Sequence, residues 1–313
     1  MKKNSFFLWP DPQFSFYSFF SFASTGDVET AFLRMYPGAT PVIFSSARAS
    51  ISAILELLQM SRSDKVWCPP FSSHCVLETV SRVATPSSVL DESRSAIIYH
   101  QWGYVHTITG KDICIEDSAD SFLLPGNIRF PNDGKFQIVS LPKIFGCAGG
   151  GVVFCKDALD AERLRLIRDG RKGHSWLQFL LKLSGNFSAT ALQYWGGAEA
   201  GGGRPTVLVC RDILRGLERT EKLIRDRQDK LSLLLGKAPG WLKFSDDRLP
   251  CAVPVELPKA NDRQLIVNGH TISPRHFNVG QNANDANFVK VIPIPIHQDF
   301  SLSDIESLLK EIG

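Results

Sequence analysis

The chain carries little net charge, and its cysteines are not arranged in pairs. The formal net charge is +3 over 313 residues, so no polyanionic partner such as a nucleic acid is expected. The seven cysteines are scattered and contain no Cys-x-x-Cys pair, which argues against a zinc site and against a disulfide framework. We therefore expect no metal ion and a reducing, cytoplasmic setting.

No uninterrupted apolar segment is long enough to cross a membrane. The aromatic-rich residues 6–22 are interrupted by Pro10, Asp11 and Pro12, and no small-residue cleavage site follows them. Neither a signal peptide nor a membrane span is predicted. We expect residues 1–24 to form an N-terminal arm that packs on its own domain or on a partner subunit. The alternative is that the arm lines a substrate pocket.

Short apolar runs alternate with helical patterns through the first two thirds of the chain. About seven of these runs are strand-like and largely unbroken by polar residues, which is typical of a sheet buried on both faces. They cover residues 41–44, 65–68, 88–90, 96–99, 113–116, 136–140 and 151–154. The sequence thus predicts an α/β fold with a mostly parallel seven-stranded sheet flanked by helices.

Two domains are expected after the arm. Residues 25–208 would form a large domain that contains the sheet, and residues 209–313 a small C-terminal α+β domain. Residues 212–235 have the apolar spacing of one long helix. Ser303 and Glu306 have the spacing of a capping box, which predicts a last helix over residues 304–312.

Two polar residues follow strand-like runs that would end at the same edge of the sheet. Asp117 comes just after residues 113–116, and Lys143 comes just after residues 136–140. In α/β proteins such strand ends point into a ligand-binding crevice. An aldehyde cofactor that carries a phosphate requires an amine, a carboxylate for its ring nitrogen, and hydroxyl or glycine residues around the phosphate. Lys143, Asp117, Ser140 and the glycines that follow supply these groups.

Each of these residues also has a simpler interpretation. A single lysine in a loop is usually a solvated charge, and an aspartate after a strand is usually a helix cap. Gly146 and the glycines at 149–151 suggest a dinucleotide-binding loop, but a strand-like run follows them where that motif requires a helix. The order and spacing of the residues together favour the aldehyde cofactor.

Five segments contain motifs in a fixed order. Residues 44–51 read Phe-Ser-Ser-Ala-Arg-Ala-Ser-Ile, residues 64–72 read Asp-Lys-Val-Trp-Cys-Pro-Pro-Phe-Ser, and residues 99–103 read Tyr-His-Gln-Trp-Gly. Residues 115–119 read Ile-Glu-Asp-Ser-Ala, and residues 291–297 read Val-Ile-Pro-Ile-Pro-Ile-His. From about residue 41 to residue 312, the chain resembles the DegT/StrS family of fold-type I, pyridoxal-phosphate (PLP)-dependent sugar aminotransferases.

The resemblance implies roles for individual residues. Lys143 would form the imine with PLP and act as general acid and base, and Asp117 would bind the pyridine nitrogen. Ser140 would bind the cofactor phosphate, together with Arg48 and Ala49 in the turn where a helix begins. These roles follow from the family pattern, beside the chemical argument from the strand ends.

Several positions depart from the family pattern. Arg48 replaces a threonine and would clamp the phosphate or lie beside it. No ring-stacking aromatic occurs near Ser73, where His74 is a candidate substitute or simply the first residue of a helix. Asp120 replaces a histidine or glutamine beside the ring hydroxyl and adds a negative charge to the site. Because residues 91–96 also form a shorter segment than in the family, we expect a divergent member.

The predicted function is that of a PLP-dependent aminotransferase in amino-sugar biosynthesis. The amino group would pass from an amino acid, glutamate or glutamine, to a keto sugar linked to a nucleotide. A homodimer is implied, in which residues 185–203 cross the interface and Asn186, a looser match, reaches the phosphate in the other subunit's site. Two alternatives stay open: a PLP enzyme for another carbonyl or amino substrate, and a non-catalytic binding or regulatory protein with the same fold.

Overall fold

The computed structural model describes residues 8–11, 23–109, 112, 114–171, 199–256, 264–267, 270–280 and 282–312. Its first eight strands are β1 Thr40–Phe44, β2 Lys65–Trp67, β3 Thr85–Ser87, β4 Ser95–Tyr99, β5 Ile115–Asp117, β6 Phe122–Leu123, β7 Phe136–Ser140 and β8 Gly151–Cys155. All of these except β6 form one seven-stranded sheet in the order β1-β8-β7-β5-β4-β2-β3.

The central sheet is mostly parallel, as predicted. Strands β3, β2, β4, β5 and β7 pair in parallel, and β8 runs antiparallel to both of its neighbours, β7 and β1. One strand position was wrong: the third strand is Thr85–Ser87 rather than residues 88–90. Leu90 instead packs in a small apolar cluster against Trp67 and Ile98. Of residues 88–90 only Leu90 is buried and Val89 is exposed, so a short apolar run here marks a turn with one buried side chain rather than a strand.

Eight helices surround the sheets in the described part of the chain. They are α1 Thr25–Met35, α2 Ala47–Leu57, α3 His74–Ser81, α4 Leu141–Phe145, α5 Ala158–Gly170, α6 Val207–Glu218, α7 Thr220–Leu234 and α8 Leu302–Ile312. None of them is long and apolar enough to cross a membrane.

The helices form two layers, one on each face of the large sheet. Helices α2, α3 and α5 pack on one face and α1, α4 and α6 on the other. Alternation along β1 shows why both faces are apolar. Val42 and Phe44 point into the core on the side of α2, α3 and α5, and Ile43 points into the core on the side of α1, α4 and α6. Each fully buried side chain of this size contributes about 1.5–3 kcal/mol.

The predicted long helix over residues 212–235 is two helices. Helix α6 begins earlier than predicted because the Thr206 hydroxyl accepts the Val209 N–H and caps it. Its last residue is Glu218. The next residue, Arg219, is not helical (φ −99°, ψ 5°), and α7 starts directly after it. Apolar residues of α6, such as Ile213, belong to the core under the large sheet. The expected domain boundary at residues 208 and 209 falls inside α6, and the division into domains stays a prediction.

A smaller α+β region follows. Its strands are β9 Arg248–Leu249, β10 Ala252–Glu256, β11 Leu265–Val267, β12 His270–Ile272, β13 Arg275–Asn278 and β14 Phe288–Pro295. Strands β10, β14 and β13 form an antiparallel sheet, on which α8 packs through Ile305 and Leu308. Strand β9 pairs with β6, which joins this region to the first half of the chain.

The last helix starts two residues before the predicted position. It begins at Leu302, and the cap is Ser301 with Asp304 rather than Ser303 with Glu306. The Ser301 hydroxyl accepts the Asp304 N–H, and the Asp304 carboxylate accepts the Ser301 N–H. Both pairs have the spacing of a capping box, and the structure uses the one nearer the apolar contact of Phe300.

Candidate active site

The carboxyl ends of several strands meet at one edge of the large sheet. Tyr99, Asp117 and Ser140 are the last residues of β4, β5 and β7. Strand β1 runs in the same direction, and Ser45 follows its last residue. This is the edge at which α/β proteins bind ligands, and it collects the residues that the sequence singled out.

Lys143 lies in the short helix α4, directly after β7. Proline at the second position of α4 is compatible with a helix start, and Gly146 ends the helix in a left-handed conformation (φ 70°). The Lys143 Nζ is 2.8 Å from Asp120 Oδ1. Its side chain is 23% exposed, whereas that of Asp120 is 1% exposed, so a partly exposed lysine pairs with a buried carboxylate.

Asp120 is held by three donors. Its Oδ1 accepts hydrogen bonds from Lys143 Nζ and from the Trp9 indole N–H, at 2.8 and 2.9 Å, and its Oδ2 accepts the hydroxyl of Tyr99. Burial alone would lower the pKa of Lys143, but the charge of Asp120 and its hydrogen bond raise that pKa above the usual value. In this arrangement the lysine amine is protonated and held in one place.

Asp117 has a different environment, although it lies only three residues away. It is 3% exposed, and its Oδ1 accepts the N–H of Ala119 at 3.1 Å. Its second oxygen accepts no hydrogen bond from any residue that the structure describes. Burial raises the pKa of Asp117 to about 6, an effect that the positive charge of Lys143 opposes and that of Asp120 reinforces. Asp117 therefore has an unused acceptor that a bound cation would satisfy.

Beneath these residues, a buried pair fixes the ends of β4 and β5. His100 and Glu116 are fully buried, with His100 Nε2 3.0 Å from Glu116 Oε2. The His100 Nδ1 accepts the N–H of His106, so the ring donates through Nε2 and is neutral. Burial lowers the pKa of His100, in agreement with this arrangement. The His100 N–H also donates to the Asp117 carbonyl, which ties the two strand ends together.

The start of α2 and the adjacent glycines form a cradle. Gly151 lies between Phe44 of β1 and Ser140 of β7, and its Cα is so close to α2 that a Cβ would come within 2.4 Å of the Ala47 nitrogen. The hydroxyl of Ser45 is buried and has no hydrogen-bond partner among the residues that the structure describes. The hydroxyl of Ser140 makes no hydrogen bond with the described residues either. Two unused hydroxyls thus lie beside the positive end of a helix.

Arg48 and Ala49 both lie in the first turn of α2. The Ala49 N–H donates to the Ser46 hydroxyl at 3.0 Å, so this donor is already used by the helix cap. Arg48 Nη1 is 3.0 Å from the carboxylate of Glu199, which also receives the Ser46 hydroxyl on its backbone carbonyl. The charge of Arg48 is therefore balanced within the chain.

The residues at this edge fit PLP. Lys143 provides an amine, Asp117 a buried carboxylate with an unused oxygen, and Ser45 an orphaned hydroxyl beside a helix N-terminus. An aldehyde, a protonated ring nitrogen and a phosphate are the complementary groups. The fit rests on these unused polar atoms and on the absence of a side chain at Gly151, which leaves the cradle open.

Comparison with known proteins agrees with this geometry. Residues 28–312 match the model of a family described as "Putative PLP-dependent aminotransferase". The chain belongs to the PLP-dependent aminotransferases. No curated protein sequence matches the chain significantly.

Solved structures show the same fold. The PMP form of a protein described as "Putative sugar aminotransferase Spr1654" from Streptococcus pneumoniae is 14% identical, with 97% of this chain and 96% of that one covered and a TM-score of 0.66. A DegT/DnrJ/EryC1/StrS aminotransferase from Brucella abortus is 16% identical over 92% and 88% of the two chains (TM-score 0.63). The sugar aminotransferase CalS13 from Micromonospora echinospora is 16% identical over 93% and 98% (TM-score 0.57). The predicted fold type and the resemblance to DegT/StrS proteins are confirmed.

The structure does not place His74 in the Lys143 network of the aminotransferase. His74 is the first residue of α3, and its side chain is exposed and makes no hydrogen bond or ion pair with the described residues. Its role in cofactor binding stays a prediction. Asn186 lies outside the described residues, as do most of residues 185–203.

Four residues of the site were missed. Tyr99 ends a strand in the same way as Asp117, so the same argument would have found it. Ser45 follows β1 and was passed over in favour of the next turn residues. Trp9 and Glu199 gave no signal, because each reaches the site from a distant part of the chain: Trp9 is 111 residues from its partner Asp120.

The aminotransferase also has a separate cavity of about 390 Å³. It lies between residues 104–107, 129–131, 241–247 and 277–280, and its lining mixes aromatic side chains such as Trp241 and Phe277 with charged ones such as Arg129 and Asp247. Neither Lys143 nor Asp117 lines it.

Proposed function

We propose that this aminotransferase moves an amino group from an amino acid, glutamate or glutamine, to a keto sugar that is linked to a nucleotide. The observation that carries the proposal is the amine of Lys143, held 2.8 Å from Asp120 at the sheet edge where Asp117 is buried. Proteins of the same fold that are described as sugar aminotransferases favour a sugar as the acceptor. Their sequences are distant, so the substrate is the part of the proposal that most needs a test.

When bound, PLP supplies the aldehyde that takes up the amino group and a ring that stabilises negative charge on the reacting carbon. Lys143 carries the proton at Nζ, and the substrate carbons would gain and lose it there. Asp120 holds that nitrogen in place, since its Oδ1 lies 2.8 Å away. A positive ring nitrogen beside Asp117 would favour the ionised carboxylate and bring its pKa below the present value of about 6.

The phosphate would bind at the start of α2. Ser45 and Ser140 have hydroxyls without partners on either side of Gly151, and the helix N-terminus supplies a partial positive charge. Arg48 is paired with Glu199 at 3.0 Å, so the helix N-terminus rather than the guanidinium would balance the phosphate. Arg48 lies beside the phosphate in this proposal, which is one of the two roles expected from the sequence.

Labelling of Lys143 tests the attachment of PLP. Protein incubated with PLP is reduced with borohydride, digested and mapped by mass spectrometry, and the cofactor mass is expected on the peptide that contains Lys143. Lys143→Ala should abolish this label. Lys156→Ala is the matched control, because Lys156 also pairs with a carboxylate and lies 4.9 Å from an aromatic ring, yet outside the site. Label that remains in Lys143→Ala and moves to another lysine would contradict the assignment.

Acceptor assays separate the proposed substrate from its alternative. The enzyme with glutamate or glutamine is offered nucleotide-linked keto sugars, free keto sugars and simple keto acids. Turnover with a nucleotide-linked sugar well above the others supports the proposal. Turnover with keto acids alone supports a PLP enzyme of another substrate class.

The assembly and the compartment also belong to the proposal. A homodimer follows from the family resemblance, with Asn186 reaching the partner's phosphate site. A reducing compartment, the cytoplasm, agrees with seven cysteines that are all free in the described structure. Burial raises the pKa of the Cys68 and Cys210 thiols to about 12, which keeps them protonated and unreactive.

A further inference from the structure

A short N-terminal segment passes directly over the reaction site. We call residues 8–11 the strap. Leu8 and Pro10 are buried, and the backbone of the strap packs against the glycine that ends α4, where a Cβ on Gly146 would lie 3.1 Å from the Asp11 carbonyl. The Asp11 N–H donates to Asp299 Oδ2 at 2.9 Å, in the turn before α8. The strap is thus fixed at both of its neighbours, the lysine-bearing helix and the C-terminal region.

Trp9 of the strap touches the reacting nitrogen. The Lys143 Nζ lies 4.2 Å from the centre of the indole ring, over its face. The indole N–H donates to Asp120 Oδ1, the same oxygen that accepts Lys143. One carboxylate oxygen therefore sets the positions of both the amine and the ring. A cation over an aromatic face is stabilised by about 0.5–2 kcal/mol, more when water is excluded.

We propose that Trp9 is a positioning residue for Lys143, and that the strap covers the reacting nitrogen and limits the access of water to it. The inference rests on the proposed role of Lys143. Any carbon bonded to Nζ lies one bond length from an atom already in contact with the indole ring. Trp9 is therefore a wall of the reaction site.

The hydrogen bond gives Trp9 a defined orientation. The bond to Asp120 fixes the indole nitrogen beside Lys143, and Trp9 is partly buried. The link from Asp11 to Asp299 has a second consequence. A displacement of the turn before α8 would pull the strap from Lys143, so that the C-terminal region and the reacting amine are mechanically connected.

Chemical labelling of the cofactor-free protein tests the cover. Trinitrobenzenesulfonate reacts with lysine amines, and the rate at Lys143 is measured by peptide mass spectrometry relative to Lys156 in the same sample. Trp9→Ala should raise this relative rate about tenfold, because the amine becomes accessible. Trp9→Phe keeps a ring over the amine and should stay closer to wild type than to Trp9→Ala.

Two further variants complete the experiment: a matched control, and a second substitution that should also expose the Lys143 amine. Trp241→Phe also removes an indole N–H bonded to a carboxylate, that of Glu256 at 2.5 Å, without changing the bonds of Asp120, and should leave the relative rate within about twofold. Asp299→Ala releases the strap without changing Trp9, and should raise the rate at Lys143 even if Trp9→Ala does not fold.

The outcomes are decisive in both directions. A relative rate in folded Trp9→Ala within twofold of wild type would overturn the proposal, as would Trp9→Phe reacting as fast as Trp9→Ala. Because no PLP is present, a failure of the proposed enzymatic function leaves this test intact. In the loaded enzyme, Trp9→Ala should lower kcat about tenfold with a smaller change in KM for the amino donor, since positioning acts on the chemical step.

Discussion

Asp117 and Asp120 lie three residues apart, but their carboxylates have different environments because different groups donate hydrogen bonds to them. Asp120 receives three hydrogen bonds, one of them from a charged amine. Asp117 receives one, from a backbone N–H, and is held at a pKa of about 6 by burial. Groups whose environments separate in this way commonly take separate roles in a reaction site. Here one carboxylate positions the lysine and the other is left to receive a cation.

The raised pKa of Asp117 predicts a pH-dependent cost to folding. Between about pH 4, the ordinary pKa of an aspartate, and about pH 6, the folded cofactor-free protein keeps a proton that the unfolded chain has lost. The stability that this proton confers is complete below pH 4 and lost as the pH rises through 6, an effect of about 3 kcal/mol. Asp117→Asn has no such group, so its unfolding free energy relative to wild type should rise by about that amount from pH 4 to pH 7.

Urea unfolding of both proteins at several pH values measures this difference. Comparing the variant with wild type removes the contributions of the other titrating groups. A difference that stays constant over the range would show that burial does not oppose the ionisation of Asp117. With PLP bound, Asp117→Asn is expected to retain some cofactor and to lose turnover.

Among the residues of the candidate site, the sequence predicted the ones whose position depends on a single strand. Lys143 and Asp117 follow apolar runs, and the end of a buried strand dictates where the next side chain points. Trp9 and Glu199 lie in the site only because distant segments pack there, and no local pattern records such packing. The roles of Arg48, Ala49 and His74 in cofactor binding stay predictions.

Among the elements, β8 and α2 make a close contact beside the site. Gly151 lets the strand approach the helix start, and a Cβ there would lie 2.4 Å from a backbone nitrogen that cannot move without the helix. Gly151→Ala should therefore cost about 1–3 kcal/mol of stability and weaken PLP binding, because it displaces the phosphate cradle. Thermal unfolding and PLP titration measure the two effects.

Gly170→Ala is the control for this substitution. Gly170 is the last residue of α5, and a Cβ at that position meets no atom within 4 Å. Alanine favours the helix over glycine, so Gly170→Ala should be neutral or stabilising by up to about 1 kcal/mol. Equal effects of the two substitutions would mean that the contact at Gly151 is not what holds the cradle.

Element types were easier to predict from the sequence than element ends. Apolar periodicity indicated the seven-stranded sheet and most helices, because burial on both faces leaves a strong pattern. The same periodicity continued across Arg219 and hid the break between α6 and α7. Two overlapping pairs, Ser301 with Asp304 and Ser303 with Glu306, had the same capping spacing, and only the packing of the last helix decides between them.

For the whole molecule, Glu29 connects segments that are far apart in the chain. Its carboxylate in α1 accepts hydrogen bonds from Arg165 and Arg168 of α5, at 2.8 and 2.5 Å, and from the Ile43 N–H of β1 at 3.1 Å. Arg168 is 5% exposed, so its charge depends on buried partners. Arg168 keeps a second carboxylate partner, Asp169 at 2.8 Å, so Glu29→Gln removes one of its two ion pairs and should lose about 2 kcal/mol of stability.

The control is a pair of the same chemistry on the surface. Glu78 and Arg82 of α3 are four residues apart and more than a third exposed, and Glu78→Gln should cost about 0.5 kcal/mol or less. Urea unfolding measures both variants. If Glu29→Gln is no more destabilising than Glu78→Gln, the network around Arg168 does not hold α1 to the sheet.

The position of Ala283 determines when, during synthesis of the chain, one end of the large sheet becomes buried. This residue closes the apolar cluster around Trp67, Ala96 and Ile98 at one end of the large sheet, and its N–H bonds to the Thr107 carbonyl at 2.8 Å. A nascent chain that ends at residue 208 would leave those side chains open to water. The ribosome must release nearly the entire chain before this sheet is sealed, so until then the growing protein is a substrate for chaperones.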